Sequence, residues 1–178
     1  MWKSVLKGAV IAVMAVAPAL VTAGPAHAAQ VYSEVLVRHT GKCLDVTSAS
    51  AANGALIQQW TCLGAAQRNQ HWALVRVGTT QDYELVVAHT GKCLDVVSAS
   101  SARGADVQQW SCLGSPQRNQ LVRLRSVPNT TVWFQLVFRH SNQCLDVRNA
   151  SPNQGANLQQ WDCLSAQLNQ QFRFVPIN

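Results

Sequence analysis

The sequence is poor in charge, and what it lacks excludes several classes of protein. Only 12% of the residues are charged, and only eight are acidic. Basic residues occur singly and form no run, which does not favour a nucleic-acid-binding surface. No Cys-x-x-Cys motif is present, so a zinc site is not favoured either. No stretch after the N-terminus has a sustained helical period, which leaves a predominantly β protein.

The N-terminus has the features of a secretory signal peptide, predicted over residues 1–28. Lys3 and Lys7 give it a positive start, and an apolar run follows over residues 8–21. The Ala-His-Ala sequence at 26–28 fits a small-residue cleavage site. A membrane anchor is the alternative, but the run falls short of the ~20 residues that span a bilayer.

Removal of this segment leaves a secreted chain of 150 residues, enough for one domain with a sizeable core. The count of Lys and Arg falls from 14 to 12 against eight acids, which gives a net charge of +4. No second apolar run follows, so membrane insertion is not expected. A monomer is expected, with no cofactor.

The six cysteines fall into three pairs with the same separation of 19 residues. In an exported protein, this regularity predicts three disulfides within repeats rather than across them. Each would close a loop of about 20 residues, worth ~3 kcal/mol in the chain-entropy model. Zinc binding is the less favoured alternative. The predicted pairs are Cys43 with Cys62, Cys93 with Cys112, and Cys144 with Cys163.

An internal repeat accounts for nearly the whole predicted mature chain. The octapeptide HTGKCLDV fills residues 39–46 and 89–96, and HSNQCLDV fills 140–147. Core packing tolerates many apolar alternatives, so it rarely demands eight identical residues. We predict one domain over residues 29–178, built from repeats 31–80, 81–130 and 131–178.

Each repeat consists of short β-branched or aromatic segments separated by Gly, Asn and Ser clusters, a pattern that predicts strands. In the first repeat these strands are expected at 34–40, 42–47, 55–62 and 71–76. A propeller typically has four to eight blades, whereas three units of four strands favour an all-β, pseudo-threefold β-trefoil.

Strand alternation places an Asp, a Gln and a Trp together in each repeat. If the second and third strands of a repeat are antiparallel, Asp45, Gln58 and Trp60 share the face that carries the cysteines. A carboxylate accepts strong hydrogen bonds from neighbouring hydroxyls, an amide donates and accepts, and an indole covers an apolar sugar face. Taken singly, such a Trp is more often in the core and such an Asp more often caps a turn. Their recurrence in three copies favours a sugar site.

These residues resemble the ricin-type β-trefoil lectin domain, or carbohydrate-binding module of family 13. The resemblance rests on Cys-Leu-Asp-Val, on Gln-x-Trp before the second Cys, and on the later Asn-Gln, over residues 31–178. It implies a trefoil that binds galactose-type or xylose-type glycans at up to three sites. The implied sugar contacts are Asp45, Gln58, Trp60, Asn69, Gln70, Asp95, Gln108, Trp110, Asn119, Gln120, Asp146, Gln159, Trp161, Asn169 and Gln170.

The chain departs from the family pattern in two places. The Gln-x-Trp signature of the core is intact at Gln70-His71-Trp72, but the corresponding aromatic becomes Val122 and Phe172. We therefore expect looser packing at Val122. The segment from Cys163 to Asn169 is also one residue shorter than its counterparts, so the third site is the least well defined.

Two other functions compete with sugar binding. A glycosidase needs two carboxyl groups about 5–10 Å apart, and a threefold fold would hold the three motif aspartates far from one another. Enzymatic activity is therefore not predicted. A trefoil protease inhibitor or other protein-binding module would act through one exposed loop and would not need three matching Asp/Trp sets. The expected partners are glycans or polysaccharides, not nucleic acid.

Overall fold

The computed structural model describes residues 30–177, so the predicted signal peptide lies outside the described residues. These residues form twelve short β-strands, as predicted. Within the same range, no helix is long and apolar enough to cross a membrane. The strands are β1 (Ser33–Val37), β2 (Cys43–Val46), β3 (Ile57–Trp60), β4 (His71–Arg76), β5 (Tyr83–Val87), β6 (Cys93–Val96), β7 (Val107–Trp110), β8 (Leu121–Ser126), β9 (Phe134–Phe138), β10 (Cys144–Val147), β11 (Leu158–Trp161) and β12 (Phe172–Pro176).

Six of the strands close into a barrel. Antiparallel pairing joins β1 to β12, β12 to β9, β9 to β8, β8 to β5, β5 to β4, and β4 back to β1. Each repeat supplies its first and fourth strands to this ring. Because the ring is closed, it leaves no unpaired sheet edge.

The other six strands form three hairpins, β2–β3, β6–β7 and β10–β11, each with four residue pairs. Each hairpin joins the barrel through one residue pair to the first strand of its own repeat. The barrel and hairpins together are the predicted pseudo-threefold β-trefoil.

The core lies inside the barrel and beneath the hairpins. The alternating strand residues that point inward include Leu44, Val46 and Ile57 in the first repeat, all fully buried. Trp72 and Phe172 are also fully buried, as the resemblance implied. Val122 is equally buried, so the smaller side chain there is still a core residue.

A fully buried glutamine ties each hairpin to the preceding repeat. In the first repeat, Gln59 accepts a hydrogen bond from the Thr40 hydroxyl and donates to the carbonyls of Ser151 and Asn153. Gln109 and Gln160 make the same three kinds of contact in their repeats. A buried amide with all these partners fixes how neighbouring repeats dock.

Candidate functional site

Each hairpin places the predicted Asp, Gln and Trp on one face. In the first hairpin, Asp45 lies opposite Gln58 and Cys43 lies opposite Trp60. Because opposite residues in an antiparallel pair share a face, Asp45 and Trp60 point to the same side, as predicted. Cys62 lies just beyond β3 and bonds to Cys43. All three predicted disulfides are present, which also leaves no free cysteine thiolate for zinc among the described residues.

Asp45 is held by three side-chain amides. One carboxylate oxygen accepts a hydrogen bond from Gln58 at 2.8 Å, and the other accepts bonds from Asn69 at 2.8 Å and Gln70 at 3.0 Å. Asp45 as a whole is only 5% exposed. These donors fix the orientation of its carboxylate.

The network recurs in the other two repeats. Asp95 accepts bonds from Gln108, Asn119 and Gln120 at 2.8, 2.8 and 3.0 Å. Asp146 accepts bonds from Gln159, Asn169 and Gln170 at 2.9, 2.7 and 3.0 Å. Asn169 thus occupies the same place as its counterparts despite the shorter segment before it.

One predicted contact does not fit the structure. Gln70, Gln120 and Gln170 are all 0% exposed, although Gln170 borders the third cleft. The amide of Gln70 donates to Asp45 and to the Thr61 carbonyl, while its oxygen accepts the Leu63 amide. Each of these glutamines donates to its aspartate from a fully buried position, so it is placed to orient the carboxylate rather than to offer an exposed contact.

The tryptophan of each hairpin is exposed next to the aspartate. Trp60 is 37% exposed, and Trp110 and Trp161 have nearly the same exposure. A leucine that follows the second cysteine, Leu63 in the first repeat, is also exposed and lines the same cleft. Each cleft therefore combines an apolar wall with a recessed carboxylate.

Each cleft is completed by the preceding repeat. At Gly104, which precedes β7, an added Cβ would lie 3.6 Å from the Trp161 ring and 3.7 Å from the Gln159 amide oxygen. The loop backbone of the second repeat thus lies close to the third cleft. Gly54 and Gly155 stand in the same relation to the second and first clefts.

A left-handed turn forms the other rim of each cleft. In the first repeat, Ser48 and Ala49 have φ angles of 56° and 48°, which are unusual for residues other than glycine. Both residues line the cleft. Strain of this kind often marks ligand sites, and it recurs here in every repeat. The equivalent residues are Ser98, Ala99, Asn149 and Ala150.

Several cleft residues were not singled out in the sequence, namely Ser48, Ala49, Leu63 and Gln67 in the first repeat. Their signal was present, because Ala49 and Leu63 recur unchanged at the equivalent positions of all three repeats. The sequence did not show which of these recurring residues face solvent.

Burial affects the carboxyl groups of Asp95 and Asp146. It raises the pKa of Asp95 and of Asp146, although amide hydrogen bonds and a histidine in each case pull in the opposite direction. Burial likewise raises the pKa of Glu84, which the Gly114 amide lowers only in part. A recessed carboxylate with a raised pKa is a strong hydrogen-bond acceptor once it is ionised.

The third cleft differs from the other two in size and charge. Its volume is about 540 Å³, against about 390 Å³ and 360 Å³ for the first and second. Arg103 and Arg148 line it, whereas no basic residue lines the other two.

In each cleft, a carboxylate and amides recessed beside an exposed indole can accept hydroxyl hydrogen bonds and cover an apolar ring face. A family described as the ricin-type beta-trefoil lectin domain-like family matches residues 23–110 and 118–178. The protein belongs to this family. The match begins at residue 23, before the predicted domain boundary at residue 29.

Similar solved structures share the fold. A designed threefold-symmetric protein, ThreeFoil, is 42% identical and has a TM-score of 0.75, covering 82% of this chain and 99% of that one. An exo-beta-1,3-galactanase from Clostridium thermocellum is 28% identical with a TM-score of 0.75, over 83% of this chain and 30% of the galactanase chain. A ricin B-like lectin from Macrolepiota procera, in complex with lactose, is 15% identical with a TM-score of 0.67, over 82% and 94% of the chains. Among curated proteins, none is detectably similar to this chain.

Proposed function

We propose that this protein is a secreted, non-enzymatic lectin that binds galactose-type or xylose-type glycans through three clefts. The observation that carries the proposal is the repeated pairing of a recessed carboxylate with an exposed indole. In the first cleft, the Asp45 oxygens accept sugar hydroxyls while the Trp60 ring covers the apolar face of a pyranose. Family membership supports carbohydrate binding, and the lactose complex and the galactanase among similar structures favour a galactose-type ligand.

The sugar contacts in each cleft are the aspartate, the first glutamine of Gln-Gln-Trp, the tryptophan and the asparagine. Gln58 and Asn69 are 9% and 6% exposed, so only a small part of each amide reaches the ligand. Asp45 carries the strongest contact because it is charged. The fully buried glutamine behind it acts by holding the carboxylate in place. The contact residues proposed are Asp45, Gln58, Trp60, Asn69, Asp95, Gln108, Trp110, Asn119, Asp146, Gln159, Trp161 and Asn169.

Three shallow clefts predict weak binding of a single sugar and tight retention on a polymer. A monosaccharide gains little from burial against the cost of association. Three sites on one rigid body can raise the apparent affinity by ~10²–10⁴ where the ligand spacing permits simultaneous binding.

A glycan array followed by calorimetry with galactose and xylose tests the proposal. The wild-type protein is compared with a triple variant, Trp60→Ala, Trp110→Ala and Trp161→Ala. Val132→Ala is the matched control because Val132 is exposed but lines no cleft. The triple variant should lose retention while it remains folded, and the control should bind as wild type. Retention that survives in the triple variant would reject the clefts as sugar sites and favour a protein-binding module. Release of reducing sugar from a bound polysaccharide would instead show an enzyme.

A further inference from the structure

The cationic lining of the third cleft has no counterpart in the first or second. Arg148 follows β10, where the first repeat has Thr47 and the second has Val97. Arg103 comes from the loop of the second repeat, at the position of Asn53 and Gln154. The first and second clefts are each lined by one carboxylate and no basic side chain.

Arg148 is held by a backbone carbonyl at the rim of the cleft and by a carboxylate outside it. Its Nη2 group donates to the Gly104 carbonyl at 3.0 Å and to Asp106 at 2.6 Å. The side chain is 38% exposed and lines the cleft, whereas Asp106 does not line it. Within residues 30–177, the Nε and Nη1 groups of Arg148 have no hydrogen-bond acceptor, so they remain available to a ligand.

Arg103 is held in a similar way. Its Nε donates to Asp162 at 2.9 Å, and its Nη2 is paired with the second oxygen of the same carboxylate. Arg103 lines the cleft and is 62% exposed, whereas Asp162 does not line it. The following residue is Gly104, which lies against Trp161. Both guanidinium groups are thus oriented by carboxylates beyond the rim.

Orientation by a neighbouring carboxylate favours recognition of an anion. A guanidinium matches the geometry of a carboxylate or phosphate-like group, and less rotational freedom is lost on binding when its position is already fixed. At long range, Asp106 and Asp162 balance the two arginines, and Asp146 in the cleft adds one more negative charge. The selectivity must therefore come from short hydrogen bonds to the ligand, which are stronger when both partners are charged.

We propose that the third cleft selects saccharides that carry an anionic substituent, such as a uronic acid or a sulfated sugar, whereas the first two clefts bind neutral sugars. This inference rests on the proposed lectin function. The sugar ring lies against Trp161, and the anionic group pairs with Arg148 and Arg103. The larger volume of the third cleft leaves room for this substituent.

The test isolates the third cleft with Trp60→Ala and Trp110→Ala and measures binding of galactose, galacturonate and galactose 6-sulfate by calorimetry. We expect at least one anionic sugar to bind about tenfold more tightly than galactose, as two charge-assisted hydrogen bonds would give. The galacturonate and sulfate arms show which anion is preferred. Equal affinity for all three sugars would overturn the inference while leaving the lectin function intact. If the wild-type protein also binds none of the sugars, the lectin function itself is rejected.

Equivalent residues of the other repeats supply matched variants: the first repeat gives the replacements for Arg148, Arg103 and Asp162, and Asn157 of the third repeat gives that for Asp106. In the same background, Arg148→Thr and Arg103→Asn are combined with Asp106→Asn and Asp162→Thr, so that no unpaired carboxylate repels the ligand. This variant should bind the three sugars equally, while Arg76→Ala, outside the clefts, should keep the preference. In the reverse direction, Thr47→Arg with Asn157→Asp grafts the Arg148–Asp106 pair onto the first cleft and should create an anion preference there. A preference unchanged by the first set of variants would refute the role of the arginines.

Discussion

Replacing Asp45 by alanine should destabilise the protein and replacing it by asparagine should not, whereas both changes should weaken sugar binding. The carboxylate accepts hydrogen bonds from Gln58, Asn69 and Gln70 at the floor of the first cleft, where little of its surface is exposed. Alanine removes all three acceptors. Asn69 then keeps the Val46 carbonyl and Gln70 keeps the Thr61 carbonyl.

The size of the stability loss follows from the hydrogen bonds that each donor loses. The Gln58 amide loses its acceptor, and the other two amides each lose one of two. An unsatisfied buried polar group costs about 1–3 kcal/mol, and because water can enter the open cleft we expect a total loss of about 2–3 kcal/mol for Asp45→Ala. Asparagine keeps one oxygen for Asn69 and Gln70, and the Gln58 amide can rotate to accept from the new NH₂ group. Asp45→Asn should therefore stay within about 1 kcal/mol of wild type.

Urea unfolding without reductant measures the stabilities, since a single small domain is expected to unfold in one transition. Binding is measured in a background that carries Trp110→Ala and Trp161→Ala, so that only the first cleft contributes. Both Asp45 variants should lose at least about tenfold in affinity, because the charged acceptor is gone. Equal destabilisation by asparagine and alanine would refute the hydrogen-bond account. Full binding by the asparagine variant would remove Asp45 from the sugar contacts.

Three further changes test the site and its supports. Trp60→Ala should abolish binding in the first cleft and, because the ring is only partly buried, lower the free energy of unfolding by no more than about 2 kcal/mol in urea titrations. A loss of the ~3–5 kcal/mol typical of a fully buried aromatic would refute the exposed position of the ring. Glu84→Gln should stabilise the protein at pH 7 by about 1–3 kcal/mol, because one oxygen of Glu84 is buried without a donor whereas Gln135 at the same position makes hydrogen bonds. Since burial raises the pKa of Glu84, its contribution to stability is present below the unfolded pKa and is lost as pH rises through the folded value, so the gain should vanish in acid unfolding scans. Asp82→Asn should have the opposite pH dependence. Burial alone would raise the pKa of Asp82, but Arg123 and Arg139 together lower it, so the ionised carboxylate stabilises the folded wild type above the unfolded pKa. The variant should therefore be less stable than wild type at pH 7, and this difference should disappear in acid unfolding scans as pH falls through the folded pKa.

Much of the fold could be predicted because the repeat and strand alternation are properties of the sequence itself. The strand expected at 34–40 ends in the structure at Val37, and the one expected at 55–62 spans only Ile57–Trp60. The overestimate arises because β-rich composition continues into turns, where backbone dihedrals such as the positive φ of Gly41 end the pairing. The faces of Asp45 and Trp60 were predictable, since a period of two fixes them once the strands pair.

The parts that could not be predicted depend on contacts between distant repeats. Gln58 and Gln59 are adjacent and chemically identical, yet Gln58 supports Asp45 while Gln59 bonds to the third repeat. Gln70 resembles a ligand contact by its place in the motif but is enclosed by its own loop. Likewise, the packing of Gly104 against the next repeat's tryptophan becomes visible only once the three hairpins are assembled.

The three repeats carry different residues where neighbouring repeats meet, although the fold is the same. The position seven residues before each motif histidine lies where neighbouring repeats meet, and it holds Tyr32, Asp82 and Trp133. Asp82 pairs with Arg123 and Arg139, whereas the Trp133 ring lies 5.4 Å from the guanidinium carbon of Arg38 and 5.1 Å from that of Arg173.

The fold therefore accepts an ion pair at one such interface and a cation–π contact at another. The core likewise accepts Trp72, Val122 and Phe172 at one equivalent position. By contrast, the exposed tryptophan of each cleft is identical in all three repeats, although more than a third of its surface contributes nothing to the core. Packing does not require that identity, and a flat indole beside a fixed carboxylate is what a sugar site requires. Under the proposed lectin function, three sugar-binding clefts would account for the repetition of Cys-Leu-Asp-Val and Gln-Gln-Trp, which the trefoil alone does not demand.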